Sequence, residues 1–231
     1  MLKVLDNVLL ADKVVDEFYN QYADVGFRNW LLGLIPEVED CKNLKQDNPW
    51  HIYNCLDHIL LSVEEMNKQS VGMDVGIRRI LAYTMFLHDI GKPECYIRRY
   101  SKLYGREVDS FFNHNIASVK IASRVLPSLD FDEDSMKIIR TLIDKHDIFM
   151  FLRLENDGNQ HHRVLDQEYT EELRQELKDI CNGRDVLDYL IMVGRSDNMA
   201  QNPKMTESSL KLLSVMESLI NNKIIMEIND E

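Results

Sequence analysis

Apolar residues recur at three- and four-residue intervals along most of the chain, the spacing of one helix face. Leu56, Ile59, Leu60 and Val63 predict a helix from about Asn54 to Asn67. Ile77, Ile80, Leu81, Thr84 and Leu87 form the next inward stripe. Asp74 is placed to cap its start, and Gly91 with Pro93 beyond it to stop it. Further helices are predicted over about Asn115–Leu126, Asp132–His146, Thr170–Cys181, Arg184–Ala200 and Thr206–Glu227. The first forty residues read as two helices, Asp12–Tyr22 and a short piece around Trp30–Ile35 that Pro36 ends. The polar stretch Glu37–Pro49 reads as a loop or short turn, as does Asn156–His162. Between Tyr96 and Phe112 the helical period is lost, and β-favouring residues with Gly105 near the middle predict a loose hairpin or flap. The expected fold is all-α, a bundle of about seven to nine helices with one small hairpin. The stripe Leu210, Leu213, Met216, Glu217 and Ile220 is expected to dock on the chain's own core.

The hydrophobic fraction of 45% and charged fraction of 29% are those of an ordinary globular protein. Only nine Gly and five Pro occur, which argues against a turn-rich β-sandwich. A net charge of −12 sets the overall field against DNA, a large RNA and an anionic membrane. It does not oppose metal cations, and a bound metal reverses the local sign. Cys41, Cys55, Cys95 and Cys181 are scattered without a CxxC pair, so neither a zinc knuckle nor a disulfide framework is expected, and a reduced, cytoplasmic location is. Met1–Val15 is interrupted by Lys3, Asp6, Asp12 and Lys13 and lacks a signal-peptide core. No apolar run approaches the ~18–20 residues that span a bilayer. With no repeat, low-complexity tract or linker, residues 1–47 are expected to pack as N-terminal helices on a main domain over 48–201. Residues 202–231 then form a C-terminal helix of the same globule.

Polar residues that end apolar stripes are the candidate chemistry. His88 lies on the stripe of Ile77 and Ile80, and Asp89 follows it. His58 lies mid-helix, His146 continues the stripe Ile139, Leu142 and Ile143, and Asp197 continues Val186, Leu190 and Val193. His114 opens a helix just after the flap. Five helices therefore direct a His or Asp inward. An ionised Asp beside a His in an apolar interior is expensive without a counter-charge, and a metal ion pairs with both. Taken singly, each of these residues is also an ordinary core histidine or a capping acid, and spacing alone leaves both readings open.

The order His58, His88-Asp89, His114, His146, Asp197 resembles the H…HD…H…H…D pattern of HD-superfamily metal-dependent phosphohydrolases. The strings Leu87-His88-Asp89-Ile90-Gly91-Lys92-Pro93, Asn48-Pro49-Trp50-His51, Leu56-Asp57-His58, Phe112-Asn113-His114 and Arg195-Ser196-Asp197-Asn198-Met199-Ala200-Gln201 are similar to the HD domain of some bacterial tRNA nucleotidyltransferases. The resemblance covers about residues 48 to 201. Nothing resembles a nucleotidyltransferase head with paired aspartates, so it implies a stand-alone HD protein without nucleotide addition. It further implies that His58, His88, Asp89 and Asp197 hold one divalent metal (Mn, Fe, Ni, Co, Zn or Mg). His114 and His146 then hold a second metal bridged by Asp89, or contact the phosphate where only one metal binds.

On that resemblance the expected enzyme hydrolyses a phosphomonoester or phosphodiester, a nucleotide in the first instance, through a metal-activated water. Lys92 is expected to stabilise charge on the phosphate, although a cation there also suits a helix C-terminus. Asp147 adjoins a candidate ligand and either orients it, accepts a proton or merely ends a helix. Arg98, Arg99, Lys102 and Arg106 make a basic island on the flap, suited to a phosphate-bearing small substrate or simply solvated. Tyr96, Tyr100 and Tyr104 either stack on a base or pack the hairpin. His51 is placed to cap a helix or line the mouth, and His161 and His162 to face solvent. Two alternatives stand beside this: RNA-end 2′,3′-cyclic phosphate hydrolysis, and a non-catalytic regulatory module with a structural metal.

Overall fold

Four helices fill the first forty-three residues of a computed structural model of the chain, where the sequence pattern suggested two. They are α1 (Leu2–Leu9), α2 (Val14–Tyr22), α3 (Val25–Leu34) and α4 (Glu37–Asn43). The structure describes residues 1–229, with side chains through 221. In α1, Leu5, Val8 and Leu9 are buried, at i, i+3 and i+4. Its polar Asp6 is also used: Arg79 Nε and Tyr83 Oη donate to its Oδ1 at 2.8 Å each. Pro36 ends α3 and also opens α4, because its ring is tolerated where the first amides lack partners. Glu37, Glu39 and Asp40 in the first turn favour the same start. The expected loop at 37–43 is therefore a helix.

The remaining helices follow the predicted stripes. They are α5 (Cys55–Gln69), α6 (Val75–Leu87), α7 (His114–Val125), α8 (Glu133–Lys145), α9 (Gln167–Ile180), α10 (Leu187–Met199) and α11 (Glu207–Asn229). Asn54, Asp74, Asp132 and Asp166 cap four of them through side-chain oxygens. The fold is all-α, with eleven α-helices among the described residues, slightly more than predicted. The predicted flap is a hairpin in which β1 (Ile97–Ser101) pairs antiparallel with β2 (Arg106–Ser110). Gly105, at φ 63°, supplies the left-handed turn residue. A second, unpredicted sheet is minimal: β3 (Leu152–Arg153) runs parallel to β4 (Arg163–Val164).

One apolar core runs through the helices, from Leu5 and Phe18 through Leu60, Phe86 and Leu142 to Leu190 and Met216. α5 packs against both α6 and α10, and α6 against α8. Leu213, Met216 and Ile220 of α11 are buried on this same core, as the stripe predicted. Gly91 is the tightest point near the site. A Cβ there would lie 2.5 Å from Ser118 N, and Gly91 N donates to Ser118 Oγ at 2.9 Å. The loop that carries Asp89 is thereby clamped onto α7.

Candidate metal centre

Three helix ends converge on one buried spot. His88 is the residue after α6, His146 the residue after α8, and Ala200 the residue after α10. Helix C-termini leave backbone carbonyls unpaired and carry partial negative charge. The imidazoles answer that need: Nδ1 of His88 bonds Met85 O at 2.6 Å, and Nδ1 of His146 bonds Ile143 O at 2.6 Å. Nδ1 of His58 bonds Ala200 O at 3.2 Å, and Nδ1 of His114 bonds Phe111 O at 2.7 Å. A carbonyl only accepts, so each Nδ1 carries a proton and each Nε2 is turned inward, where it can hold a metal once the imidazole is neutral. This is the arrangement in which backbone acceptors set the tautomer of metal-binding histidines.

Those Nε2 atoms meet the carboxylates in two groups. In the first, His58 Nε2 lies 3.1 Å from Asp89 Oδ2 and 3.0 Å from Asp197 Oδ1, with His88 Nε2 at 3.4 and 3.5 Å from the same two oxygens. In the second, His114 Nε2 lies 3.1 Å from Asp89 Oδ1 and 3.1 Å from His146 Nε2. His146 Nε2 is 3.7 Å from that same oxygen. Two sets thus have ligand atoms close enough for an ion: His58, His88, Asp89 and Asp197, and Asp89, His114 and His146. Asp89 gives one oxygen to each set. Asp147 joins the second, 3.2 Å from His114 Nε2 and 3.6 Å from His146 Nε2, and its side chain is 27% exposed where Asp89 is almost wholly buried.

The donor set fits a divalent cation on two observations. Among the described residues eight buried side-chain N or O atoms have no hydrogen-bond partner, and three of them, His58 Nε2, His88 Nε2 and Asp89 Oδ2, face one another in the first set, the last beside Lys92 Nζ. Buried polar atoms left so are costly. The charge is also unbalanced. Asp89, Asp197 and Asp147 bring three negative charges and Lys92 one positive, leaving two negative charges when the imidazoles are neutral. The mixture of imidazole and carboxylate without thiolate suits Mn, Fe, Co, Ni or Zn.

Protonation follows the same imbalance. Burial pushes His58 down, but the Asp197 and Asp89 carboxylates outweigh it and raise it to about 9. His146 behaves alike: burial lowers it, Asp147 and Asp89 raise it, and it ends near 10. Burial pushes Asp89 up, yet the charges of His88 and Lys92 and hydrogen bonds from His114 and His146 hold it well below the ordinary carboxylate range. Asp197 is likewise held low against its burial by His58 and His88. In the metal-free protein, protons stand in for the missing positive charge.

Lys92 opens a short 3-10 helix (Lys92–Cys95) rather than ending α6, and it is buried in the cluster. Its Nζ lies 2.5 Å from Asp89 Oδ2 and donates to Gln46 Oε1 at 2.9 Å. His51 Nε2 lies 3.4 Å from the same ammonium. Burial and Lys92 hold His51 well below its ordinary pKa, so it is neutral and accepts from Lys92. The sequence reading passed over Gln46 entirely and over the role of Gln201, whose Nε2 donates to Asp197 Oδ2 at 3.0 Å. No spacing signal marks Gln46, because it reaches the cluster from a segment without periodicity.

The flap cations behave differently. Arg98 donates to Asp109 Oδ1 at 2.8 Å and Asp47 Oδ2 at 2.9 Å, and Arg106 to Asp47 Oδ1 at 2.7 Å. Arg99 donates to Ser110 Oγ and lies 4.4 Å over the Phe112 ring. Of the flap tyrosines, Tyr96 packs on Phe111 and Tyr100 is mostly exposed. His161 is exposed as expected, whereas His162 is largely covered, between Asp157 at 2.6 Å and Arg153 at 2.8 Å. Among the described residues no helix is long and apolar enough to cross a membrane. A scan against protein-family models matches no family. What stands is a helical fold compatible with an HD-type fold, carrying a buried His/Asp cluster able to hold metal.

Proposed function

We propose that the protein is a metal-dependent phosphohydrolase of the HD type acting on a phosphomonoester or phosphodiester, a nucleotide in the first instance. The observation that carries this reading is the pair of ligand sets sharing Asp89, each imidazole turned inward by a backbone carbonyl. His58, His88, Asp89 and Asp197 would hold one divalent ion. His114 and His146, with the other oxygen of Asp89, would hold a second ion or bind the phosphate. A bound divalent ion supplies Lewis acidity toward water and toward the phosphoryl oxygens.

The chain's own residues supply the rest. Asp147, partly exposed beside His114 and His146, accepts the proton released by the attacking water and passes it to solvent, from which the alkoxide released as the ester P–O bond breaks takes up a proton. Lys92 carries an ammonium into the cluster on a flexible stem and stabilises charge on a non-bridging oxygen. Gln46 and neutral His51 hold that ammonium in position. Gln201 fixes Asp197 from behind.

The test is metal content of the purified protein, then hydrolysis of p-nitrophenyl phosphate, bis-p-nitrophenyl phosphate, nucleotides and cyclic nucleotides with Mn, Co, Ni and Mg. Metal-dependent release of alcohol or phosphate that disappears in Asp89→Ala supports the reading. No hydrolysis with any metal, or full activity in Asp89→Ala, rejects it.

A further inference from the structure

Lys92 lies against an atom that the first ligand set needs. Asp89 Oδ2 belongs to that set, 3.1 Å from His58 Nε2 and 3.4 Å from His88 Nε2. The Lys92 ammonium is 2.5 Å from the same oxygen. This contact is one of charge, since Oδ2 takes no directed hydrogen bond. The directed bond from Nζ goes to Gln46 Oε1 at 2.9 Å, with His51 Nε2 at 3.4 Å. On a further side the ammonium lies 5.5 Å from the centre of the Phe111 ring, just after β2. Gln46, neutral His51 and Phe111 therefore make a resting place for the ammonium that does not depend on Asp89.

Charge gives the placement its consequence. A divalent ion on Asp89 Oδ2 meets a second positive charge at the same oxygen, and Lys92 is buried, so water screens the repulsion little. The ammonium stands on a flexible four-carbon stem, and Gln46 and His51 offer it only neutral acceptors. A phosphate oxygen is a stronger partner than either, because the bond is then charged on both sides.

From the shared oxygen and the neutral resting place we infer that Lys92 is a built-in competitor of the metal at Asp89 and couples metal binding to phosphate binding. With no oxyanion present it weakens the hold on metal. A phosphate in the cluster draws the ammonium off Asp89 and so tightens that hold, and by linkage metal tightens phosphate by the same factor. The inference rests on the metal centre and the phosphate binding of the proposed function, but not on turnover.

The test is the Mn affinity of the full chain, titrated against a competing chelator without phosphate and again at saturating inorganic phosphate, with Mn held by phosphate itself subtracted. Phosphate is expected to tighten Mn binding by the parent about tenfold or more. Lys92→Met is expected to bind Mn about tenfold more tightly than the parent without phosphate, and the effect of phosphate on it shrinks to less than about threefold. Gln46→Ala keeps Lys92 and every ligand but leaves the ammonium with Asp89 as its main partner. It is expected to move the other way, to Mn binding several-fold weaker than the parent's, and adding Lys92→Met removes that weakening. A lysine that merely orients Asp89 gives a different pattern: Lys92→Met and Gln46→Ala both bind Mn more weakly, and phosphate acts on them as on the parent. That pattern overturns the inference. Lys92→Gln is read by the same criteria if circular dichroism shows Lys92→Met unfolded. The expected pattern without hydrolysis of any ester keeps the inference and rejects the hydrolase, whereas a parent that binds no Mn overturns both.

Discussion

The His/Asp cluster and the β1–β2 hairpin are both dense in charge, yet they resolve that charge in opposite ways. On the hairpin, Arg98 and Arg106 meet Asp47 and Glu107 in water, Arg98 also reaches the buried Asp109, and each of the two cations finds its acid within the chain. In the cluster, three carboxylates face one ammonium inside a dry pocket, and buried acceptor atoms are left without directed hydrogen bonds. Water screens the first arrangement and makes it nearly neutral to stability. The second is sustained only by protons or by a cation from outside. Basic residues on a flap are thus a weak sign of phosphate binding, whereas acids and imidazoles buried together are a strong sign of a metal.

The largest effect that tests this contrast is expected at Asp89. In metal-free protein, Asp89→Ala leaves Lys92 buried without its partner and costs about 3–5 kcal/mol in chemical denaturation. Asp89→Ala combined with Lys92→Met recovers most of that loss, while neither variant retains metal. If the single variant is as stable as the parent, the cluster is no more demanding than the hairpin. Next comes Gln201→Ala, which removes the donor to Asp197 Oδ2. It is expected to weaken metal binding by about 10–100-fold, read by titration against a chelator, with little change in unfolding midpoint.

Stability against pH separates the regions more finely. His58 and His146 are raised from 6.5 to about 9 and about 10 in the metal-free protein. A raised imidazole contributes stability that is fully present below 6.5 and lost as pH climbs through the folded value. The chelated protein should therefore lose thermal stability between pH 7 and 10, and the metal-loaded protein should not, since metal replaces those protons. Asp89 and Asp197, held low, act with the opposite sign: their contribution is present above 3.8 and is lost only in stronger acid. A chelated protein whose Tm rises from pH 7 to 10 would contradict the assignment of protons to these imidazoles. The smallest effect is expected on the hairpin itself: Arg98→Ala should leave Tm almost unmoved and change KM for a nucleotide by less than about twofold. A large rise in KM would show that the guanidinium leaves its acids for substrate.

The helices from α5 to α11 were legible because each carries an amphipathic stripe long enough to declare its period, and several open on an Asn or Asp cap. α1 and α4 were not, being eight and seven residues long. Helices so short are marginal by themselves and form because the tertiary fold buries them. Asp6 looked like an interruption in the sequence, but in the fold it is the acceptor for Arg79 and Tyr83 on α6. The candidate ligands were visible as polar residues at the ends of apolar stripes, and the resemblance put them in order.

The sequence by itself determined an all-α chain with one hairpin and a series of His and Asp residues aimed inward, since periodicity fixes which face of a helix is buried. Only the tertiary structure decided that those residues meet, that Asp89 divides its two oxygens between two sets, and that Gln46 and His51 steady Lys92. It also decided that Asp47, 51 and 59 residues from its arginine partners, pairs with Arg98 and Arg106 of the flap. The physical reason is the same in each case: the distance between separate segments is set by how helices and loops pack, and no local pattern encodes it.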